Sequence, residues 1–267
     1  MYTVASIAEL LDAYAPCSLA EQWDNVGLLV GDRDRSVGKV MTCLTITPSS
    51  AAEAIEQQAD LIVAHHPLPF QPLRRLTTDS ATGRLLLDLA AHRIAVYSPH
   101  TALDSAAEGI NQSWAVGLKL TDIRPLIAND SVTGDNDEAV GSGRWGLVKA
   151  PGTLADMVAR VKSFLAIDQV RVVGRDDQAV ARVAVGCGSG GSLLDAASRL
   201  GCDCFVTGEA NFHSCLEAEA AGIGLILAGH FASERFALER LAQYLTSELD
   251  GVDVWASRAE RDPLRSV

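Results

Sequence analysis

The stretch LIVAHHPLPF, residues 61–70, joins an apolar run to two adjacent histidines and then to two prolines. A short apolar run of this kind predicts a strand that is buried on both faces, as in parallel sheets. Pro67 favours an extended backbone at His66, and the strand should end soon afterwards. Packing gives no reason for His65 and His66 to stand side by side. The stretch therefore predicts a core strand with a functional site at its carboxyl end.

The segments on both sides of this strand alternate between helix and strand patterns. Helix patterns occur in SIAELLDAYA, PSSAAEAIEQQ and TGRLLLDLAAHR, and strand patterns occur in VGKVMTCLTI, DLIVAHH and IAVYSPH. A helix pattern, SAAEGINQSWAVGL, follows them, and a second alternating series runs from RWGLVKA to GVDVWAS. This succession predicts an α/β layer architecture with mainly parallel sheets.

A polar segment, residues 127–144, separates the two series and is rich in Asp, Asn, Gly and Ser. Such a composition predicts a surface loop or a junction between domains. We therefore expect two α/β domains with mainly parallel sheets. The first would comprise residues 1–125 and 224–267, and the second would comprise residues 126–223.

Composition and charge narrow the classes of function. The 267 residues carry a formal net charge of −12, which argues against nucleic-acid binding, because that function generally needs a basic surface. No apolar run is long enough for a transmembrane helix. The beginning of the chain, MYTVASIAELLDAYAP, has an amphipathic pattern without a basic leader, so we expect a cytoplasmic protein without membrane contact. The six cysteines lack a Cys-x-x-Cys pair, and we expect them to be reduced.

Four of the six histidines follow predicted strands. Ligands of open α/β sheets collect outside the carboxyl ends of the strands, so these positions are candidates for a site. The four are His65, His66, His100 and His230.

Two of these histidines are followed by a carboxylate four residues later. In AGHFASE, His230 and Glu234 would share one helix face and could chelate a cation, or they could form an ordinary surface ion pair. In SPHTALD, His100 precedes Asp104, which could be a metal ligand or the N-cap of the next helix.

The adjacent histidines suggest more than one metal ion. Successive side chains of a regular strand point to opposite faces, so His65 and His66 cannot easily bind the same ion from a strand. Either one of them supports the other, or each binds its own ion in a pair about 3.5–4 Å apart. Asp104 has two oxygens that could bridge such a pair. Three histidines and two carboxylates favour zinc, manganese or iron over calcium or magnesium.

Two further motifs lie near predicted strand ends in the second series. In TGEANFH, Glu209 and His213 could be acid–base groups that face the metal ions, or Glu209 could simply stabilise a helix N-terminus. The glycine-rich turn at residues 186–191 could bind a phosphate, or it could permit a close helix–strand contact. It is not a Walker motif, because it lacks Gly-Lys-Ser/Thr.

Five of these motifs occur together in one order along the chain. EQWDNVGLLVGD, VAHHPLPF, YSPHTALD, VTGEANFH and AGHFASE resemble the family of GTP cyclohydrolase 1 type 2 homologues, also called the Nif-three-like family. The resemblance covers about Glu21 to Leu245. It implies a two-domain α/β fold, a dinuclear metal site between the domains and a ring-shaped homohexamer. The metal ligands that it implies are His65, His66, Asp104, His230 and Glu234.

Two hypotheses of function follow. The first is a hydrolase that uses two divalent ions (zinc, manganese or iron) on a small phosphorylated or nucleotide-like substrate, with Glu209 and His213 as catalytic groups. The second is a metal-binding or regulatory protein without catalysis, whose ions stabilise the ring-shaped assembly.

Overall fold

The computed structural model describes residues 1–129 and 140–265. The chain divides into two compact units. The first unit comprises Met1–Leu103 and Ala237–Val267, and the second comprises Asp104–Phe236.

The described residues form strands and helices that alternate along most of the chain. The strands are β1 (Tyr2–Thr3), β2 (Gly27–Val30), β3 (Ser36–Val37), β4 (Lys39–Cys43), β5 (Leu61–Ala64), β6 (Ala95–Ser98), β7 (Leu120–Ala128), β8 (Gly141–Thr153), β9 (Arg171–Val173), β10 (Ala179–Gly186), β11 (Cys204–Thr207), β12 (Gly224–Leu227) and β13 (Asp253–Ala256). The α-helices are α1 (Val4–Tyr14), α2 (Pro48–Glu56), α3 (Ala81–Ala91), α4 (His100–Ser105), α5 (Ile110–Gly117), α6 (Leu154–Leu165), α7 (Leu194–Arg199), α8 (Phe212–Ala221) and α9 (His230–Glu248).

The first unit contains a five-stranded sheet in the order β13-β4-β5-β6-β2. All neighbours are parallel except β2, which pairs antiparallel with β6 at the edge. Strand β5 lies at the centre, and its four residues are all buried. This explains why the sequence there is continuously apolar instead of alternating.

Helix capping and a carboxylate contact fix two of the connections of this sheet. Helix α2 begins with Pro48 after a reciprocal capping box between Thr47 and Ser50, which satisfies backbone donors at the helix start. At the beginning of β5, the carboxylate of Asp60 accepts hydrogen bonds from the backbone N–H groups of Gly38 and Lys39. These contacts fix the amino end of β5, opposite to the end where the histidines follow.

The second unit contains a six-stranded sheet in the order β7-β8-β10-β11-β12-β9. Its central strands β10, β11 and β12 are parallel, and the remaining pairs are antiparallel. Phe205 and Leu225 are fully buried in the core beside this sheet. The predicted α/β class with two units is confirmed, and parallel pairing in the second unit is confined to the centre of the sheet.

The polar segment 127–144 is only partly described, and its described ends are strands instead of loop. Ile127 pairs with Ser142, and Ala128 pairs with Gly141, so β7 and β8 form an antiparallel pair. The prediction of a loop is wrong for these residues, because backbone pairing extends the strands into a segment that is polar as a whole. Residues 130–139 lie outside the described part of the chain.

The boundaries of the compact units differ from those expected from the sequence. Strand β12 was expected in the first domain, but it pairs in parallel with β11 and belongs to the second sheet. The division instead falls at 103/104 and 236/237, inside helices α4 and α9. A sequence pattern that shows continuous helices gives no sign of a division within them.

The helix predicted over SAAEGINQSWAVGL is also corrected. Helix α4 ends at Ser105, and α5 begins after its N-cap Gly109. The guanidinium of Arg144 donates to the carbonyl of Ala106 at 2.8 Å, which satisfies a backbone acceptor at this break. Asp104 therefore lies within α4 and is not the N-cap of the following helix.

Among the helices of the described residues, none has both the length and the apolar character needed to span a membrane.

Candidate metal centre

The two adjacent histidines lie just beyond the carboxyl end of β5, which stops at Ala64. The alternation of a regular strand therefore does not apply to them, and the expectation that they face opposite sides is wrong. Their ring centroids lie 5.1 Å apart. His65 is fully buried, whereas His66 is partly exposed.

A third histidine joins this pair. His100 begins α4 directly after β6, and its ring lies 5.1 Å from that of His65 and 5.6 Å from that of His66. Because β5 and β6 are adjacent parallel strands, their carboxyl ends meet at one edge of the sheet. One ring nitrogen from each histidine lies within 4.8 Å of the other two. The three imidazoles form what we call the histidine cluster, which could hold a transition-metal ion.

Polar groups on neighbouring segments orient two of these rings. The hydroxyl of Thr45 lies 2.6 Å from Nδ1 of His66. Nδ1 of His100 lies 2.7 Å from Oδ1 of Asp24, whose other oxygen accepts a hydrogen bond from the N–H of Thr101. Burial raises the pKa of Asp24, but the hydrogen bonds from His100 and Thr101 outweigh it, and the pKa falls to about 2. Asp24 is therefore an anion at neutral pH.

In the second unit, His230 and Glu234 occupy the first turns of α9 as their spacing predicts. Nε2 of His230 lies 3.0 Å from Glu234, and Nδ1 lies 3.0 Å from Oε1 of Glu209. The same oxygen of Glu209 accepts a hydrogen bond from the hydroxyl of Ser189 at 2.7 Å. These four residues form what we call the helix cluster.

The charged groups of the helix cluster shift the pKa values of His230 and Glu209. The hydrogen bond to Glu234, followed by the further interactions with both carboxylates, outweighs burial and raises the pKa of His230 to about 9. The hydrogen bonds from His230 and Ser189 lower the pKa of Glu209. His230 is therefore protonated at neutral pH when no metal is bound, and a metal ion would have to displace that proton.

Asp104 is linked to a buried cysteine. The thiol of Cys187 donates to Oδ1 of Asp104 at 3.1 Å, and the side chain of Asn111 bonds both the N–H of Cys187 and the carbonyl of Asp104. Burial, followed by the charges of Asp104 and Glu234, raises the pKa of Cys187 well above its ordinary value. The thiol thus stays protonated and directs its proton at the carboxylate.

The glycine-rich turn is a close packing contact at the start of α9. Gly188 has a φ of +57°, and a Cβ there would lie only 2.1 Å from Oε1 of Glu234. The N–H of Gly188 donates to the hydroxyl of Ser233 at 2.9 Å. Of the two interpretations of this turn, the structure supports the close contact, because the absent side chain leaves room for Glu234.

The two predicted acid–base groups have different surroundings. Glu209 belongs to the helix cluster, and the N-cap of α8 is Asn211. His213 is exposed in the first turn of α8, with its ring 6.0 Å from that of Phe212. Within the described residues, no hydrogen bond joins His213 to Glu209.

Sequence reasoning missed three residues that contact the candidate site residues. Asp24 and Thr45 bond histidines from distant positions in the chain, and Cys187 bonds Asp104. The motif EQWDNVGLLVGD was a signal for Asp24, since it places a carboxylate beside Trp23 ahead of an apolar strand. Thr45 gave no sign of a role, and Cys187 lies within the glycine-rich turn, where only the glycines drew attention.

Comparisons with known proteins identify relatives of this chain. A family model described as Duf34/NIF3 (NGG1p interacting factor 3) matches residues 2–263. The chain is 35% identical to the "GTP cyclohydrolase 1 type 2 homolog" of Clostridium acetobutylicum, over 86% of this chain and 85% of that protein. It is 35% identical to the "Protein NIF3 homolog" of Schizosaccharomyces pombe, over 93% of this chain and 92% of that protein. A crystal structure of a Staphylococcus aureus protein has a TM-score of 0.87 and 29% identity, covering 100% of this chain and 99% of the other.

Proposed function

Because the chain belongs to the Duf34/NIF3 family, we propose that it is a dinuclear metal-binding protein and a metal-dependent hydrolase. Its substrate would be a small phosphorylated or nucleotide-like molecule. The observation that supports metal binding most strongly is the histidine cluster, in which one nitrogen from each of three rings lies within 4.8 Å of the others. Three imidazoles that converge in this way can supply nitrogen ligands to a transition-metal ion.

The proposed ligands of two divalent ions combine nitrogen and carboxylate donors. They are His65, His66, Asp104, His230 and Glu234. Imidazole and carboxylate together suit zinc, manganese or iron. The residues around these side chains fit a metal centre, because Gly188 leaves space at Oε1 of Glu234 that any larger residue would fill.

Neighbouring residues would prepare these ligands for the chemistry. When bound, divalent ions polarise a carbonyl or phosphoryl oxygen and lower the pKa of water. Glu209 accepts the Nδ1 proton of His230, which leaves Nε2 as the donor nitrogen on the opposite side of the ring. The thiol of Cys187 donates a hydrogen bond to Oδ1 of Asp104 and so holds the carboxylate in place. We further propose that Glu209 and His213 act as acid–base groups during hydrolysis.

The class of substrate rests on the names of relatives. The Clostridium acetobutylicum relative is named as a homolog of GTP cyclohydrolase 1 type 2, which motivates nucleotides as the first compounds to test. Phosphomonoesters and phosphodiesters are the next compounds to test, because ions that polarise a phosphoryl oxygen promote the hydrolysis of both classes.

The test is elemental analysis followed by a substrate screen. The purified protein is stripped with chelator and reloaded with zinc, manganese or iron, and nucleotides and phosphoesters are assayed with and without metal. Turnover that requires the metal supports the hydrolase. Two ions per chain without turnover of any compound would favour the non-enzymatic metal-binding protein, and a chain that holds no ion would overturn both.

We also propose that the protein is a homohexamer, as expected for a ring-shaped member of this family. Light scattering should then give about six times the chain mass of 28.3 kDa. A monomer at micromolar concentration would contradict the assembly without affecting the metal-binding proposal.

A further inference from the structure

We propose that His100 supplies Nε2 as an additional nitrogen ligand of the metal centre, and that Asp24 is the positioning residue that fixes its tautomer. The inference rests on the proposed metal-binding function and adds to its ligands a residue that the family resemblance does not assign. It depends only on contacts within the first unit.

The carboxylate of Asp24 is surrounded by hydrogen-bond donors. Oδ1 accepts the N–H of Asn25 at 2.7 Å and lies 2.7 Å from Nδ1 of His100. Oδ2 accepts the N–H and the hydroxyl of Thr101. That hydroxyl also accepts the N–H of Glu21 at 3.0 Å, so its own proton is directed at Asp24.

These contacts determine where His100 carries its proton. A carboxylate is only an acceptor, so Nδ1 of His100 must be protonated to bond Oδ1 of Asp24. In the neutral imidazole the lone pair then lies on Nε2. A histidine in this tautomer can donate its lone pair to a metal ion from the side of the ring opposite to Asp24, as carboxylate-bonded histidine ligands do.

The location of His100 agrees with that role. Its ring belongs to the histidine cluster, and the side chains of His100 and Asp24 are only 11% and 0% exposed. His100 also has a φ of +27°, a backbone conformation that side-chain-bearing residues rarely adopt. Strain of this kind persists where surrounding contacts enforce it, and it is concentrated at functional sites.

His92 shows what a histidine without such a role looks like in the same unit. It is exposed at the end of α3, and its Nδ1 lies 2.8 Å from the carbonyl of Asp88 in its own helix. Its contacts are local, whereas the contact between His100 and Asp24 spans 76 residues. His92→Gln is therefore a matched control for His100→Gln.

The substitution Asp24→Asn is a sharp test, because both carboxylate oxygens accept backbone N–H groups. An amide has one acceptor oxygen and one donor nitrogen. If the nitrogen replaces Oδ1, it faces the N–H of Asn25 and favours the wrong tautomer of His100. If it replaces Oδ2, it faces the N–H of Thr101.

The matched control for this variant is Asp60→Asn. Asp60 also accepts two backbone N–H groups, from Gly38 and Lys39 at Oδ2, and its Oδ1 accepts the guanidinium of Arg35, but it stands before the amino end of β5. The substitution Asp60→Asn should lower the stability of the fold in a similar way, although Asp60 does not contact the histidine cluster. Thermal unfolding of the metal-free variants measures that effect separately.

The experiment is a competition titration of metal-stripped full-length protein with Zn²⁺ against a chromophoric chelator, and the visible spectrum of the Co²⁺-loaded protein. We expect Asp24→Asn to weaken the tightest metal affinity by about 10–100-fold, the usual cost of losing a carboxylate behind a histidine ligand. His100→Gln should weaken it at least as much and change the Co²⁺ spectrum. The double variant Asp24→Asn/His100→Gln should bind the metal no more weakly than His100→Gln alone, because both substitutions act through one ring.

The contrary outcomes separate this inference from the proposed function. If His65→Ala loses metal while His100→Gln and Asp24→Asn retain the wild-type affinity and spectrum, the role of His100 is wrong and metal binding stands. If Asp60→Asn weakens affinity as much as Asp24→Asn, the effect is general destabilisation, and the positioning role is wrong. If the wild-type protein binds neither Zn²⁺ nor Co²⁺, the proposed function itself fails.

Discussion

The histidine cluster of the first unit and the helix cluster of the second unit hold their candidate ligands in different ways. His65, His66 and His100 come from chain segments that follow two strands, and their rings meet because β5 and β6 are adjacent. His230 and Glu234 belong to one helix, where a spacing of four residues alone brings them within 3.0 Å. The first arrangement depends on the whole sheet, and the second depends on a single helical turn.

The groups behind the ligands differ as well. His100 faces one carboxylate, Asp24, whose remaining capacity is filled by backbone N–H groups and a hydroxyl. His230 faces two carboxylates, which together raise its pKa to about 9. His100 is thus held in a fixed tautomer, whereas His230 holds a proton in place of a cation. We infer that metal loading of the helix cluster costs a proton.

The largest effect is expected from removing a carboxylate ligand. Glu234→Ala and Asp104→Ala should each reduce bound metal by more than the ~10–100-fold that loss of a supporting group costs. Elemental analysis after gel filtration measures this, with Glu239→Ala as a control on an exposed position of the same helix. Unchanged stoichiometry in both variants would show that the ligand assignment is wrong.

A smaller but selective effect is expected from His213→Ala. If His213 is an acid–base group and not a ligand, metal content should stay near the wild-type value while turnover falls by ~10²–10⁴-fold. The assay is the metal-dependent activity found in the substrate screen, together with elemental analysis. Loss of metal in this variant would instead add His213 to the ligands, and unchanged turnover would exclude its catalytic role.

Gly188→Ala should damage the helix cluster locally. Its Cβ would meet Oε1 of Glu234 at 2.1 Å, so metal affinity should fall, and the left-handed backbone should cost about 1–2 kcal/mol. The control is Gly222→Ala, because Gly222 has a φ of +69° and no atom of its surroundings lies within 4 Å of the position that a Cβ would take. Gly222→Ala should lower the stability without changing the metal affinity. An equal loss of metal affinity in both variants would contradict the close contact between Gly188 and Glu234.

The smallest effect is a pH dependence of the metal-free protein. The pKa of His230 is raised in the folded state, so its stabilising contribution is fully present below about pH 6.5 and is lost as pH rises through about 9. The contribution is modest, because a third of the side chain is exposed. The midpoint of thermal unfolding should therefore fall more between pH 6.5 and 9 in wild type than in His230→Gln. Parallel profiles would show that the two carboxylates do not hold a proton on this ring.

The two clusters also show what a sequence can predict. The pair His230 and Glu234 could be predicted because helical spacing fixes the distance between them. The motifs around His65 and His100 indicated strand ends, and the sheet confirmed them at one edge. The link between Asp24 and His100 could not be predicted, because it joins a loop to a helix start across 76 residues and depends on the antiparallel edge strand β2.

Predicted boundaries failed for a related reason. Segment 127–144 is polar as a whole, yet its described ends extend β7 and β8, because strand pairing supplies backbone hydrogen bonds whatever the side chains are. Helix α4 stops early because the side chains of Arg144 and Asn111 take carbonyls that a longer helix would have used. Both outcomes depend on partners that are distant in the sequence.

The most direct test of the central claim is a crystal structure of the metal-loaded protein with anomalous scattering data collected at the absorption edge of the bound metal. We predict two anomalous peaks per chain, with His65, His66, His100 and His230 donating nitrogen at ~2.0–2.3 Å and Asp104 and Glu234 donating oxygen. Strong anomalous peaks that lie away from these side chains, or a fully loaded crystal with no peak beside the histidine cluster, would contradict it.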